Sequence, residues 1–455
     1  MAKAHKHQTH YTRQTQVLVS KIYGRSVHND SVLENAIKYY EHHEFVASDA
    51  KITPESETLN KLQQKERYNH LLAVCNEIIE LAEGDTFEES NRKSAQLLGT
   101  IQLLSPTEGK KVAENNEQCK ALYKAILSLR LLDRLLLTNG INEPYILKVL
   151  TELEGKSFME LDTDARLRFT ELVKIPLVMA ALLQDIGHNH AQAQTILRGA
   201  DGNLDPHRTL PIEDRKKLLQ INHKHTLDYI SNGIGIPSYN GNSKADRTRF
   251  IVDEQLKHRF VKVLIKSSFN AKQGVGNLLK VPQIYVSIIL STKDSYNYKV
   301  LPKVFQVLNK NAELGACSQK VVDVLYQITG MFPQGYGVIY MPEDEVGQLA
   351  DCYEYAIVNR LYPHNPEQPL CRIATRKLTF IGYGHNIEVK KQNNLYFPHM
   401  AKKIAKLSKE RLNEILELLA SNYQERQQLD LLPRCWHANE FFSVKAHQKL
   451  WNRSD

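Results

Sequence analysis

The stretch Ala181-Leu182-Leu183-Gln184-Asp185-Ile186-Gly187-His188 decides how this chain is read. The residues leading into it, Ile175 to Leu183, are apolar without a break. A helix that is hydrophobic on every side is a buried one, and Gly187 is a natural residue just past its C-terminus. Asp185 therefore lies at the negative end of a buried helix, where the dipole and desolvation both oppose an unpaired carboxylate. It needs a partner: a metal ion, a protonated histidine, a lysine or a set of backbone donors. The plainer alternative is a frayed last turn with a hydrated Asp185.

Working outward, a second helix is marked by Pro211 with Glu213 and Asp214 at its start and Gly233 beyond its end. At about 100° per residue, Leu218, Ile221 and His225 fall on one stripe, and His223 points to the opposite side. His225 is thus expected inside and His223 in water. A lone histidine on an apolar face is more often a core residue than a ligand. His188 and His190 follow a helix end in a polar segment, where exposed loop histidines are the commoner outcome.

Read together, these segments have a family resemblance. Ala-Leu-Leu-Gln-Asp-Ile-Gly resembles the "ALLHDIGK" signature of the HD superfamily of metal-dependent phosphohydrolases, in particular its HD-GYP branch. Glu213 to Ile230 is similar to that family's "E…I..HP..G..IL" helix, with His225 on the ligand histidine. Leu279 to Tyr285 is similar to "LAVADVYDAL", and Pro302 to Leu308 to the short helix after it. Val321 to Val338 resembles the segment that closes such domains and opens a small appendage. The likeness runs from about Leu172 to Val338, and its segments come in the family's order.

The resemblance implies a helical domain whose histidines and aspartates hold divalent metals, so that a bridging water attacks phosphorus. This chain departs from that pattern at most ligand positions. Gln184 stands for the first histidine of the HD pair, His188 for the lysine after "DIG", Ser267-Ser268 for the paired histidines, and Gln283 for the late aspartate. No histidine lies between His70 and His188 to serve as the upstream ligand. Asp185 and His225 are what remain, and divalent sites normally use at least three protein groups. The expectation is a vestigial site without cofactor. The enzyme alternative is a phosphohydrolase with a rearranged Mn or Fe site using Asp185 and His225, with His188 and His190 as substitutes.

Composition bounds the rest. The chain has 455 residues, enough for more than one core, and its 42% hydrophobic and 24% charged residues suit a soluble globular protein. Its longest apolar run, Ile175 to Leu183, is too short for a membrane span, and no signal peptide is read at the start. Cys75, Cys119, Cys317, Cys352, Cys371 and Cys435 lack metal-ligand spacing and read as reduced thiols of a cytoplasmic protein. No phosphate-binding glycine loop, HExxH or GxSxG is present. The formal net charge of +8 favours anionic partners. Its basic concentrations are the tail Met1 to Arg13 and the run Lys402, Lys403, Lys406, Lys409, Arg411. The commoner meaning of such runs is a solvated face, although the second also admits nucleic acid.

The expected fold is mainly α: an HD-domain-like helical bundle with an extra N-terminal helical region and a small β-rich C-terminal appendage. Its expected parts are a basic flexible arm at 1–15, a helical region at 16–155 and the HD-GYP-like domain at 156–330. The β-rich appendage follows at 331–395, then an amphipathic helix and an aromatic tail at 396–455. Strands are expected near Phe332–Val338, Ala356–Val358 and Leu378–Ile381. The amphipathic helix, from about 400 to 425, packs on the core or seats a protein partner. The expected function is a catalytically degenerate signalling or scaffold component of bacterial origin, in the cyclic di-GMP setting that the resemblance implies. A nucleotide would be bound by Lys266, Lys272, Lys280 and Tyr285, chosen on residue type. The remaining alternative is a nucleic-acid-associated protein using the late basic run.

Overall fold

Helix starts follow short-range capping chemistry. The side chains of Thr9, Thr86, Asp162, Ser243 and Ser408 each accept a hydrogen bond from the backbone N–H three residues on, satisfying donors that a helix start leaves unpaired. The computed structural model describes residues 7–24, 30–49, 54–153, 161–343, 347–404, 407–420, 423–429 and 432–452. It is mainly helical, with a small antiparallel sheet towards the C-terminus.

The helices in order are α1 (His10–Tyr23), α2 (Val32–Asp49), α3 (Pro54–Ala82), α4 (Phe87–Leu104), α5 (Val112–Leu137), α6 (Pro144–Glu152) and α7 (Thr163–Phe169). A π-helical turn, Thr170–Lys174, leads into α8 (Ile175–Leu183), and the 3-10 turn Ile186–Asn189 leads into α9 (Ala191–Arg198). Then come α10 (Ile212–Asp228), α11 (Lys244–Phe269), α12 (Asn277–Ile289), α13 (Val304–Glu313) and α14 (Gln319–Thr329).

At the centre lies α5, whose segment Leu122 to Asp133 is buried throughout. It packs on α8 and α12. One continuous core runs from Leu18 to Cys435, with buried residues from both the expected 16–155 and 156–330 parts. A helix assigned to the N-terminal region is in fact the inner wall of the bundle. The arm expected at 1–15 is likewise ordered from His10 onward. Gln448 Oε1 accepts from the Thr9 N–H at 2.8 Å and from Thr12 Oγ1 at 2.9 Å, which fastens α1 to the C-terminal tail. Residues 1–6 lie outside the described residues.

Four charged side chains are sunk into this core. Arg130 pairs with Glu83 and with Asp133 at 2.9 Å, and Lys174 reaches Glu83 at 3.0 Å and Asp133 at 3.1 Å. Two cations thus meet two carboxylates, the condition under which buried charge is tolerated. Burial opposes the Glu83 carboxylate, but Arg130 and Lys174 outweigh it and hold the group at about 2. The quartet ties α3, α5 and the π-turn before α8 into one frame.

The sheet comprises β1 (Gly337–Tyr340), β2 (Glu354–Val358), β3 (Leu370–Ile373) and β6 (Asn386–Glu388), antiparallel in that order. A hairpin of β4 (Thr375–Arg376) and β5 (Thr379–Phe380) lies beside it. β1, β2 and β5 meet the expected positions; β3 and β6 were not anticipated. The late amphipathic helix is broken into α15 (His399–Ile404), α16 (Lys409–Leu419) and α17 (Tyr423–Leu429), because Ser408 caps a new start. Leu412, Ile415 and Leu419 of α16 are buried in a second core beside the sheet. The apolar face of α16 is therefore used internally. Lys406 lies outside the described residues, and Arg411 of the same basic run pairs with Glu414 at 2.7 Å and Asp351 at 3.6 Å. The tail docks through α18 (Ala438–Phe442) and both tryptophans: Trp436 Nε1 donates to the Ala356 carbonyl at 2.9 Å, and Trp451 is 2% exposed. No helix among the described residues is long and apolar enough to cross a membrane.

Candidate functional site

The site forms where α8 ends. The apolar helix is closed on all sides, and its terminus meets α5, α10, α11 and α12. Gly187 fixes how closely α10 approaches. A Cβ there would lie 2.3 Å from the Asn222 carbonyl oxygen and 2.9 Å from the Thr226 nitrogen. Only glycine permits that contact, and the Gly187 N–H donates to Thr226 Oγ1 at 3.1 Å. The Gln184 carbonyl, left over at the helix end, accepts from Asn222 Nδ2 at 3.1 Å.

Asp185 finds the lysine that its position demanded. Lys124 Nζ of α5 donates to Asp185 Oδ2 at 2.7 Å, and Gln283 Nε2 of α12 donates to Oδ1 at 2.8 Å. The Lys124 side chain is 4% exposed and that of Asp185 41%, so the pair lies at the floor of a recess that opens outward. Protein crowds the carboxylate despite that opening, and desolvation pushes its acidity towards the neutral form. The Lys124 ammonium, with His188 and Lys120 nearby, outweighs this and holds the group at about 2.

The four residues of the rearranged metal site separate into two pairs. His188 stays beside Asp185; burial lowers its pKa and Asp185 partly offsets this, and its Nε2 is buried without a hydrogen-bond partner. His190 and His225 instead stack on each other, with ring centroids 3.4 Å apart and planes 16° apart. His190 Nδ1 accepts from the Gln192 N–H at 3.2 Å as the N-cap of α9. His225 Nε2 lies 3.4 Å from Gln192 Oε1, and its carbonyl accepts from Tyr40 at 2.9 Å. Burial, then His190, pushes His225 down to about 4. Among the described residues no three His, Cys, Asp or Glu side chains form a group able to hold a metal ion. The Asp185 oxygens also already accept from an ammonium and an amide. A divalent ion at this carboxylate would sit against the Lys124 cation, so the residues present do not fit the metal that the resemblance implies.

His225 faces inward as the helical phase predicts, at 9% exposure. His223 is half-buried, its ring tilted by 34° against that of Phe269 of α11 with centroids 4.6 Å apart. Of the residues chosen as nucleotide ligands, only Lys280 reaches the recess, one turn before Gln283 on α12 and within electrostatic range of Asp185 and Lys124. Tyr285 is 0% exposed, stacked on Tyr123 and packed at a tilt against Phe305 in the core. Lys266 is exposed on α11, in range of His223 and Lys262, and Lys272 is exposed in the loop that follows. Neither is brought to Asp185.

The residue missed from sequence is Lys124. It sits in the apolar stripe of α5, one turn after Lys120, and an isolated lysine within a buried stripe signals a buried anionic partner. The chain matches no known family model, and neither a curated protein nor a solved structure proved similar to it.

Proposed function

We propose that the chain is a catalytically silent HD-type protein, a signalling or scaffold component in which an internal ion pair stands where the enzymes bind metal. One observation carries this reading. Four of the positions matched to the family's ligands, Gln184, Asp185, Ser268 and Gln283, meet around one helix end, although only Asp185 keeps the family's residue type. Gln184 Nε2 lies 3.3 Å from Ser268 Oγ, and Asp185 accepts from Gln283. Ser268 lies 84 residues from Gln184 and Gln283 lies 98 from Asp185, so their meeting supports the resemblance at those positions. Lys124 supplies one positive charge where a divalent ion would supply two. It neutralises Asp185 but activates no water, which is what metal catalysis requires.

The fold would then persist as a platform whose recess reads a ligand or presents a surface, in the cyclic di-GMP setting of HD-GYP proteins. The test is turnover. Purified full-length protein supplied with Mn or Fe is expected to leave cyclic di-GMP intact. Hydrolysis that disappears in Asp185→Ala would overturn the reading and favour the enzyme.

A further inference from the structure

The recess above Asp185 carries more positive charge than its own acids neutralise. Lys120 and Lys124 lie one turn apart on α5, and Lys280 and Gln283 one turn apart on α12. Because Lys124 and Gln283 both reach Asp185, these pairs place Lys120 and Lys280 on the same opening. Lys120 Nζ donates to Glu117 at 2.7 Å and lies 3.4 Å from Thr292 Oγ1. The residue after Thr292, Lys293, donates to the carbonyls of His207 and Arg208, both at 2.9 Å. Arg215 of α10 is within electrostatic range of both Lys280 and Lys293.

The cations Lys120, Lys124, Lys280, Lys293 and Arg215 therefore face the carboxylates Asp185, Glu117 and Asp205, an excess of two positive charges. Arg198 is within electrostatic range of Tyr23, as Glu117 and Asp185 are. Lys280 donates to no oxygen among the described residues, and both Asp185 oxygens are already engaged. Burial, and for Lys293 the neighbouring cations Lys120 and Arg215, lower the pKa of Lys280 and of Lys293. Such crowding is relieved by an anion.

We infer that this recess binds a phosphate dianion, free or as a phosphomonoester, directly through its lysines and Arg215 and without a metal. Ammonium donors from two helices lie at the opening and a guanidinium from a third is within electrostatic range of it, a donor set from which phosphate oxygens accept. Lys280 is the principal ligand because its ammonium is uncommitted. Lys124 contributes less, since Asp185 already holds it. The inference rests on the site being metal-free, since a divalent ion at Asp185 would reorganise every charge named.

The test is calorimetric titration of the full chain with sodium phosphate and with glycerol 3-phosphate, at constant ionic strength set by chloride. One saturable site is expected, at ~1 mM or tighter. A tighter monoester identifies an organic phosphate as the natural class, and tighter inorganic phosphate identifies the free ion. Lys280→Gln should weaken binding at least ~5-fold, with melting temperature as the check on folding. Asp185→Asn should strengthen binding by freeing Lys124, a gain that a merely structural role would not produce. Absence of binding by either probe at ~10 mM, or affinities unchanged in both variants, would overturn the inference. That failure leaves the metal-free reading standing. Binding that appears only after Mn is added would defeat both.

Discussion

Replacing Lys124 with Met removes the ammonium and keeps the side chain's length and apolar packing. Asp185 would then face the Gln283 amide and desolvation alone. A carboxyl held at about 2 in place of its ordinary 3.8 contributes at most ~2.5 kcal/mol at neutral pH. Because 41% of the Asp185 side chain is accessible, solvent screening reduces that to ~1–1.5 kcal/mol. Stranding the carboxylate without its cation adds a desolvation cost of ~1–2 kcal/mol. Urea unfolding at pH 7 should therefore show Lys124→Met less stable by ~2–3 kcal/mol. The sign of the pH dependence is fixed. The wild-type contribution is present above the unfolded carboxyl's pKa and disappears only as pH falls towards 2. In the variant, Asp185 titrates above its ordinary value, so protonation relieves the variant first and the gap should narrow between pH 7 and pH 4. Asp185→Asn in the same background should recover much of the loss. A difference below ~0.5 kcal/mol, or one that does not change with pH, would refute the reasoning by making Lys124 an ordinary solvated lysine.

Further outcomes follow from the same geometry. Gly187→Ala should cost ~2–4 kcal/mol in chemical unfolding, because its Cβ would meet the Asn222 carbonyl oxygen at 2.3 Å and backbone must shift; a neutral result would show that α8 and α10 do not approach as described. Lys174→Met should cost ~3–5 kcal/mol by leaving Glu83 and Asp133 with Arg130 alone, again read from unfolding midpoints. Burial holds His225 and His258 at about 4, so the unfolded chain binds more protons between the ordinary histidine value of 6.5 and pH 4. Stability from these groups is full above 6.5 and is lost as pH falls towards 4. His225→Gln should flatten that part of the stability–pH curve, and an unchanged slope would count against the stacked, neutral histidine pair.

Much of the helical fold was legible because apolar periodicity and caps are local signals. The acidic start of α10 at Glu213 and Asp214 appears where the residues indicate. α4 also carries a local signal. Thr86 Oγ1 accepts from the Glu89 N–H at 3.1 Å, and the Glu89 side chain reaches back to accept from the N–H of Asp85, the residue before the cap, at 3.1 Å. β3 and β6 are short strands whose pairing is non-local, so no run of alternating residues revealed them.

At the site, the sequence located the helix end and stated that Asp185 needs a partner. It could not choose the partner, because Lys124 lies 61 residues upstream and arrives only by helix packing. The same limit explains Tyr285. Residue type suggested a base-stacking role, while the register of α12 turns it into the core against Tyr123. His190 and His225 were grouped with Asp185 by proximity in sequence and family pattern, and the backbone sends them to each other instead.

A lysine ammonium stands at Asp185, where the resemblance to HD enzymes would place a divalent ion. Anomalous diffraction at the manganese edge, from crystals of the full chain soaked in MnCl2, measures this directly. The account predicts no manganese peak at Asp185 and Lys124 Nζ within hydrogen-bond distance of its carboxylate. A manganese ion ~2.2 Å from an Asp185 oxygen, with Lys124 displaced, would contradict it.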